Sequence, residues 1–157
     1  MSAVKPSESA PRLQPAELVD ILQRIAFGSV AMTQSALMHA TGGLELTFIQ
    51  WRAVLVVGES EAGCRVGEVA RRTMGTLPST SRLLQRLERR GLLTLARDET
   101  DRRATRARLT DEGRRVRDAV LAYRGAQLAT IAATVDPPRS AYRVLRELAE
   151  GFEAHAR

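Results

Sequence analysis

The hydrophobic period changes between Leu77 and Leu109, and this change restricts the fold more than any other feature of the chain. Leu83, Leu84 and Leu87 recur at helical spacing, while Pro78, Arg82, Gln85 and Arg89 fall at i, i+4, i+7 and i+11 on the opposite side. Gly91 ends this helix. Leu93, Leu95 and Arg97, then Thr105, Ala107 and Leu109, alternate with period two around residues 98–104, the pattern of a β-hairpin with an Arg-bearing tip. Upstream, Val66, Val69 and Ala70 lie on one side of a short segment running to Thr73, and Met74, Gly75 and Thr76 lead into a helix start at Leu77 and Pro78. Helix, turn, helix, hairpin is the order of a winged helix unit, whose second helix enters the major groove and whose hairpin reaches the backbone or minor groove.

Helical patterns flank this unit. Residues 1–12 are rich in Ser, Pro and Ala without a period and read as a flexible arm. From about Ala16, Leu18, Leu22, Ile25, Ser29, Met32 and Ala36 mark a long helix that Gly42 and Gly43 stop. Thr47 and Gln50 have capping-box spacing and open a second helix through Phe48, Trp51, Val54 and Leu55 to Gly58. Thr110 caps a helix with Asp111 and Glu112 in its first turn, expected to run to about Val135 before Pro137 and Pro138 break it. A last helix carries Ala141, Leu145, Leu148 and Phe152 on one face. The expected fold is mainly α with a small β-hairpin wing. After the arm, a domain spans 14–156, with a winged helix lobe at 47–113 and dimerisation helices at 14–41 and 114–156. The small central unit covers only part of the terminal apolar stripes, so a homodimer is expected.

The 157 residues suit one compact domain or two small ones and exclude a long multidomain enzyme. No apolar run approaches the roughly 18 residues of a membrane span, and residues 1–11 lack a signal core, so the expected location is cytoplasmic, away from membrane. Cys64 is the sole cysteine, and His39 and His155 lie far apart, so neither a disulfide, a metal site nor a cofactor is expected. No Gly-rich phosphate loop, nucleophile elbow or metal-spaced cluster argues for an enzyme.

The charge is concentrated. The net charge is +6, but residues 65–117 hold 15 Arg against 7 acids, a local net of +8, and 23 of the 24 basic residues are Arg. Arginine forks onto phosphate or guanine, although Arg richness also follows genomic base composition. Arg82, Gln85 and Arg89 face outward on the second helix, Ser79 and Ser81 supply hydroxyls near its N-terminus, and Arg102 and Arg103 sit at the wing tip. The plainer alternative makes Arg86, Arg89 and Arg90 a solvated helix face. A winged helix protein-interaction module without specific DNA binding is the other class; it predicts acids where this chain places arginine.

On LTFIQWRAVL (46–55), VGEVARR (66–72), LPSTSRLLQRLERRGLL (77–93) and above all RDETDRRATRARLTDEG (97–113), the sequence resembles the multiple antibiotic resistance regulator (MarR) family of dimeric winged helix transcription factors. Asp101, Arg102 and Arg103, followed by Leu109, Thr110 and Gly113, carry the most specific part. The resemblance implies a homodimeric DNA-binding regulator, usually a repressor, on a pseudo-palindromic operator in double-stranded DNA. It implies recognition-helix contacts by Ser79, Thr80, Ser81, Arg82 and Arg86, and a wing pair in which Asp101 orients Arg103 into the minor groove. Arg102 then takes phosphate, and the two arginines are interchangeable on the sequence. Pairing that only stabilises the turn is the alternative. Gly67 departs from the family's pattern, in which a helix-favouring or capping residue is common there, and is expected to loosen the start of its helix.

Family members that bind phenolic or aromatic acids imply a small-molecule effector. Met32, His39, Phe48 and Trp51, with Arg52 as cation, come from the two helices that would line such a crevice. Core filling is the competing role for the Met and aromatic positions. Other members sense peroxide through a cysteine near the start of the first helix, which has none here; Cys64 sits beside Arg65, expected to lower its pKa slightly, and an inert thiol is the favoured reading.

Overall fold

The computed structural model describes residues 14–98 and 100–155, so the arm at 1–12 lies outside the described residues. Six helices and three strands follow in the order α1 (Pro15–His39), α2 (Phe48–Val57), β1 (Cys64–Arg65), α3 (Val66–Arg72), α4 (Leu77–Arg89), β2 (Leu93–Arg97), β3 (Thr105–Leu109), α5 (Asp111–Ala132) and α6 (Ala141–His155). The chain is thus mainly helical with a small antiparallel wing.

Local chemistry sets the boundaries. The Thr47 hydroxyl accepts from the Gln50 amide while the Gln50 side chain accepts from the Thr47 amide, closing the capping box of α2. Thr110 caps α5 by accepting from the Gly113 amide at 3.0 Å, and its hydroxyl donates to Gly91 O at 2.6 Å, tying the end of α4 to the start of α5. α5 stops at Ala132, short of Val135: the Thr134 hydroxyl takes the Ile131 carbonyl at 2.7 Å, and the chain leaves the helical region before Pro137. Despite Gly67 in its first turn, α3 starts at Val66.

β2 and β3 pair in the expected register, Leu93 with Leu109 and Arg97 with Thr105. The structure adds β1, which pairs Cys64 with Ala107 and completes the order β1-β3-β2. Two residues are too few to show a period. The local cue is Gly63 at φ +73°, where a Cβ would meet Ala107 O at 2.0 Å, so only glycine lets this backbone approach β3.

The core lies inside the lobe. Trp51, Val54 and Val57 of α2 meet Val69, Leu84, Leu87, Leu92 and Leu93, with Val116 and Val120 of α5 closing the far side. In contrast α1 buries only Thr33, Ala36 and Leu37, and α6 buries nothing. Phe27 is 80% exposed, and Val19, Ile25, Leu128, Ile131, Tyr142, Leu145 and Phe152 are exposed with it. The boundary expected at 113/114 falls within the first turn of α5.

Candidate nucleic-acid interface

Thr76 caps α4, its hydroxyl accepting from the Ser79 amide, and Pro78 in the first turn fixes a helical φ. Leu84 and Leu87 anchor the helix in the core. Arg82, Gln85, Arg86 and Arg89 are consequently exposed on the outer side. Thr80, a contact implied by the resemblance, is buried and faces Gly75, where an added Cβ would lie 2.8 Å from its Oγ1. Ser79 is exposed, but its hydroxyl donates to Thr76 O at 2.9 Å and is shared with the cap.

The helix and the wing are joined by one hydrogen bond and line one cleft together. Glu88 reaches from α4 to the open edge of β2 and accepts from the Leu95 amide at 2.8 Å. Near the N-terminal end of α4, Leu77, Ser81 and Gln85 share a cleft of about 520 Å³ with Arg103 and Thr105 of the wing.

At the wing root, Asp98 is buried and accepts from Arg65 Nε and Nη2, Arg106 Nε, the Thr100 hydroxyl, and the Thr100 and Asp101 amides. The Arg65 and Thr100 hydrogen bonds hold its carboxyl far below the usual carboxylate range. Asp101 acts differently from the expected pairing: its Oδ1 accepts from the Arg103 amide at 3.0 Å, not from the guanidinium. The acid shapes the turn and leaves the Arg102 and Arg103 side chains exposed.

In the sequence neither Asp98 nor Arg106 stands out, and Arg65 does so only as the neighbour of Cys64. Asp98 and Arg65 stand 33 positions apart and meet only because β1 joins the sheet. With its guanidinium on Asp98, Arg65 does not acidify Cys64; burial, then the nearby Glu68 charge, pushes that thiol up.

The 15 arginines of residues 65–117 divide by location. Nine hold protein partners: Arg65 and Arg106 on Asp98, Arg71 on Glu68, Arg72 on Glu59, Arg90 on Glu45 O, Arg108 on Ala62 O, Arg114 on Asp111, Arg115 on Glu112 and Arg117 on Gly58 O. Among the described residues, the other six, Arg82, Arg86, Arg89, Arg97, Arg102 and Arg103, have side chains with no such partner, and all lie on α4 or the wing.

Of the five residues expected at an effector crevice, Phe48, Trp51 and Arg52 line one cleft of about 790 Å³ together with Ser29, Val30 and Arg124. Met32 and His39 do not line it; His39 stacks on Tyr123 at 5.9 Å, and its Nδ1 lies 2.8 Å from Ser35 O. Trp51 is a core residue, 1% exposed. Arg52 donates to Arg72 O at 2.9 Å, whereas Arg124 carries a buried Nε without a partner among the described residues. Among the described residues no group of three acids, histidines or cysteines is placed to hold a metal, and no helix is long and apolar enough to cross a membrane.

A short helix, a recognition helix tied to an antiparallel wing, and a cationic outer face define a winged helix-turn-helix lobe of the DNA-binding class. Residues 44–104, most of the lobe, match the model of the MarR family. The chain is similar to a MarR family protein from Bacillus stearothermophilus, at 26% identity, 88% of this chain, 94% of that chain and TM-score 0.74. It shares its fold with CouR from Rhodococcus jostii RHA1, solved bound to p-coumaroyl-CoA, at 23% identity, 89% and 92% coverage and TM-score 0.70. A MepR mutant from S. aureus bound to an oligodeoxyribonucleotide matches at 17% identity, 87% and 96% coverage and TM-score 0.60. No protein of curated function matches the chain.

Proposed function

We propose that this chain is a homodimeric transcriptional repressor that binds a pseudo-palindromic operator and is released by a small apolar anion. The observation that carries the reading is the division of the arginines: every arginine of residues 65–117 without a protein partner among the described residues lies on α4 or the wing. Cations left uncommitted on one side of a lobe are suited to phosphate and base edges. Ser81, Arg82, Gln85, Arg86 and Arg89 are assigned to the major groove, with Ser79 on phosphate beside the helix N-terminus. Arg103 is assigned to the minor groove and Arg102 to phosphate. The DNA-bound state of the MepR structure supports this use of the fold.

The exposed apolar faces of α1, α5 and α6 support pairing of two chains, with half-sites about one helical turn, roughly 34–36 Å, apart. The cleft lined by Phe48, Trp51 and Arg124 lies between the terminal helices and the lobe. An aromatic carboxylate seated there, its oxygens on Arg124, releases DNA if it prefers a dimer with the wrong helix spacing. The CouR complex supports a ligand role for this class of fold.

The test is anisotropy titration of the full chain against a duplex selected from a random library and against its scrambled counterpart, at several salt concentrations. Tight, selective and salt-steep binding is expected. Equal, weak binding to both duplexes overturns the reading.

A further inference from the structure

The first turn of α4 carries apolar surface that the core does not use. Thr80, Leu84 and Leu87 anchor the helix, whereas Leu77, its first residue, is 56% exposed and Pro78 is exposed beside it. Met74, in the turn leading to the helix, is 86% exposed. Pro78 has a local role in starting the helix, whereas more than half of the Leu77 surface is open to solvent. Leu77 shares the cleft between α4 and the wing with Ser81, Gln85 and Arg103. This apolar spot therefore shares a cleft with exposed Gln85 and Arg103, on the helix whose outer side carries exposed Arg82 and Arg86, a cationic surface complementary to DNA.

Resting on the DNA-binding reading above, we propose that Leu77, flanked by Pro78, reads the C5-methyl group of a thymine in the major groove. The methyl is the apolar feature a base pair presents there, and an aliphatic side chain at the first turn of a recognition helix meets base edges first. Arginine and glutamine on the same helix supply hydrogen bonds and charge, and neither discriminates a methyl from a hydrogen. Leu77 makes each half-site selective for T·A at one defined step.

Thymine differs from uracil only by this methyl, so the decisive probe is the DNA. The full chain is used to select a duplex from a random library, and each thymine is exchanged in turn for deoxyuridine at constant salt. Kd is expected to rise about fourfold at one thymine per half-site, the effect of losing one buried methyl. Leu77→Ala is expected to bind the thymine and uracil duplexes equally.

The outcomes separate cleanly. Failure to enrich any duplex removes the DNA-binding reading and this contact with it. An enriched duplex whose Kd is unchanged by every exchange leaves DNA binding standing and overturns the methyl contact. A Leu77→Ala protein that is weaker yet still senses the exchange also overturns it, moving the reader elsewhere and making Leu77 a support for the helix or a contact between copies.

Discussion

The Arg65 guanidinium grips the buried Asp98 carboxylate with two hydrogen bonds, Nε to Oδ2 at 3.2 Å and Nη2 to Oδ1 at 3.0 Å, joining the strand before α3 to the root of the wing. Arg106 approaches the same Oδ2 from β3. One carboxylate thus sets where the wing tip stands relative to the recognition helix, and the arginines it consumes are not those offered to DNA.

Asp98→Asn should therefore loosen the wing. The carboxyl is depressed in the folded state, so its stabilisation is complete above the unfolded carboxylate pKa, near 3.9, and is lost as pH falls below that value. The variant is expected to melt lower than the parent at pH 7 and to bind DNA more weakly. The difference in Tm should shrink as pH is lowered from 5 towards 2. A gap of constant size across that range would show that the ionised carboxylate is not its source.

Gly113 is required by close approach. Its backbone passes Leu92 so tightly that a Cβ would stand 1.9 Å from Leu92 O, a backbone atom held between α4 and β2. Gly113→Ala must displace the start of α5 or the strand entry, at a cost of about 3 kcal/mol or more. Chemical denaturation should show a lower midpoint with an unchanged m-value. Stability within about 0.5 kcal/mol of the parent would mean that α5 shifts freely.

What could be read from the residues is what is local. The capping box at Thr47 and Gln50, the Thr110 cap, the Gly91 stop and the alternation about 98–104 each act within a few residues, and each appears in place. The Asp98 cluster was hidden because its members come from three separate segments and none departs from an ordinary surface pattern. Thr80 was assigned by motif position, but whether a residue points outward depends on the turn it packs against, here Gly75. His39 shares a helix with Ser29 and Val30, yet the cleft takes the latter pair and His39 stacks on Tyr123.

Cys64 should be a slow nucleophile. Burial and the Glu68 charge raise its pKa above the usual thiol value, so little thiolate is present near pH 7. Alkylation is expected to run slower than for an unstructured cysteine peptide at the same pH and to recover on unfolding. Peroxide treatment should leave DNA affinity unchanged in the parent, as in Cys64→Ser. Loss of affinity in the parent alone would restore a redox role.

Arg102 and Arg103 are separable by their salt dependence. Both side chains are exposed, but the Arg103 amide is fixed by Asp101 and its side chain lines the cleft shared with Ser81 and Gln85. Replacing a phosphate contact lowers the slope of log K against log salt by about 0.9 per contact and weakens all sequences alike. Arg102→Ala is expected to do this. Arg103→Ala should weaken the operator more than a scrambled duplex, because a minor-groove contact also senses groove width. Titrating both variants against both duplexes at several salt concentrations checks the assignment. An inverted pattern exchanges the two roles, while an unchanged slope and affinity for both removes the wing from DNA binding.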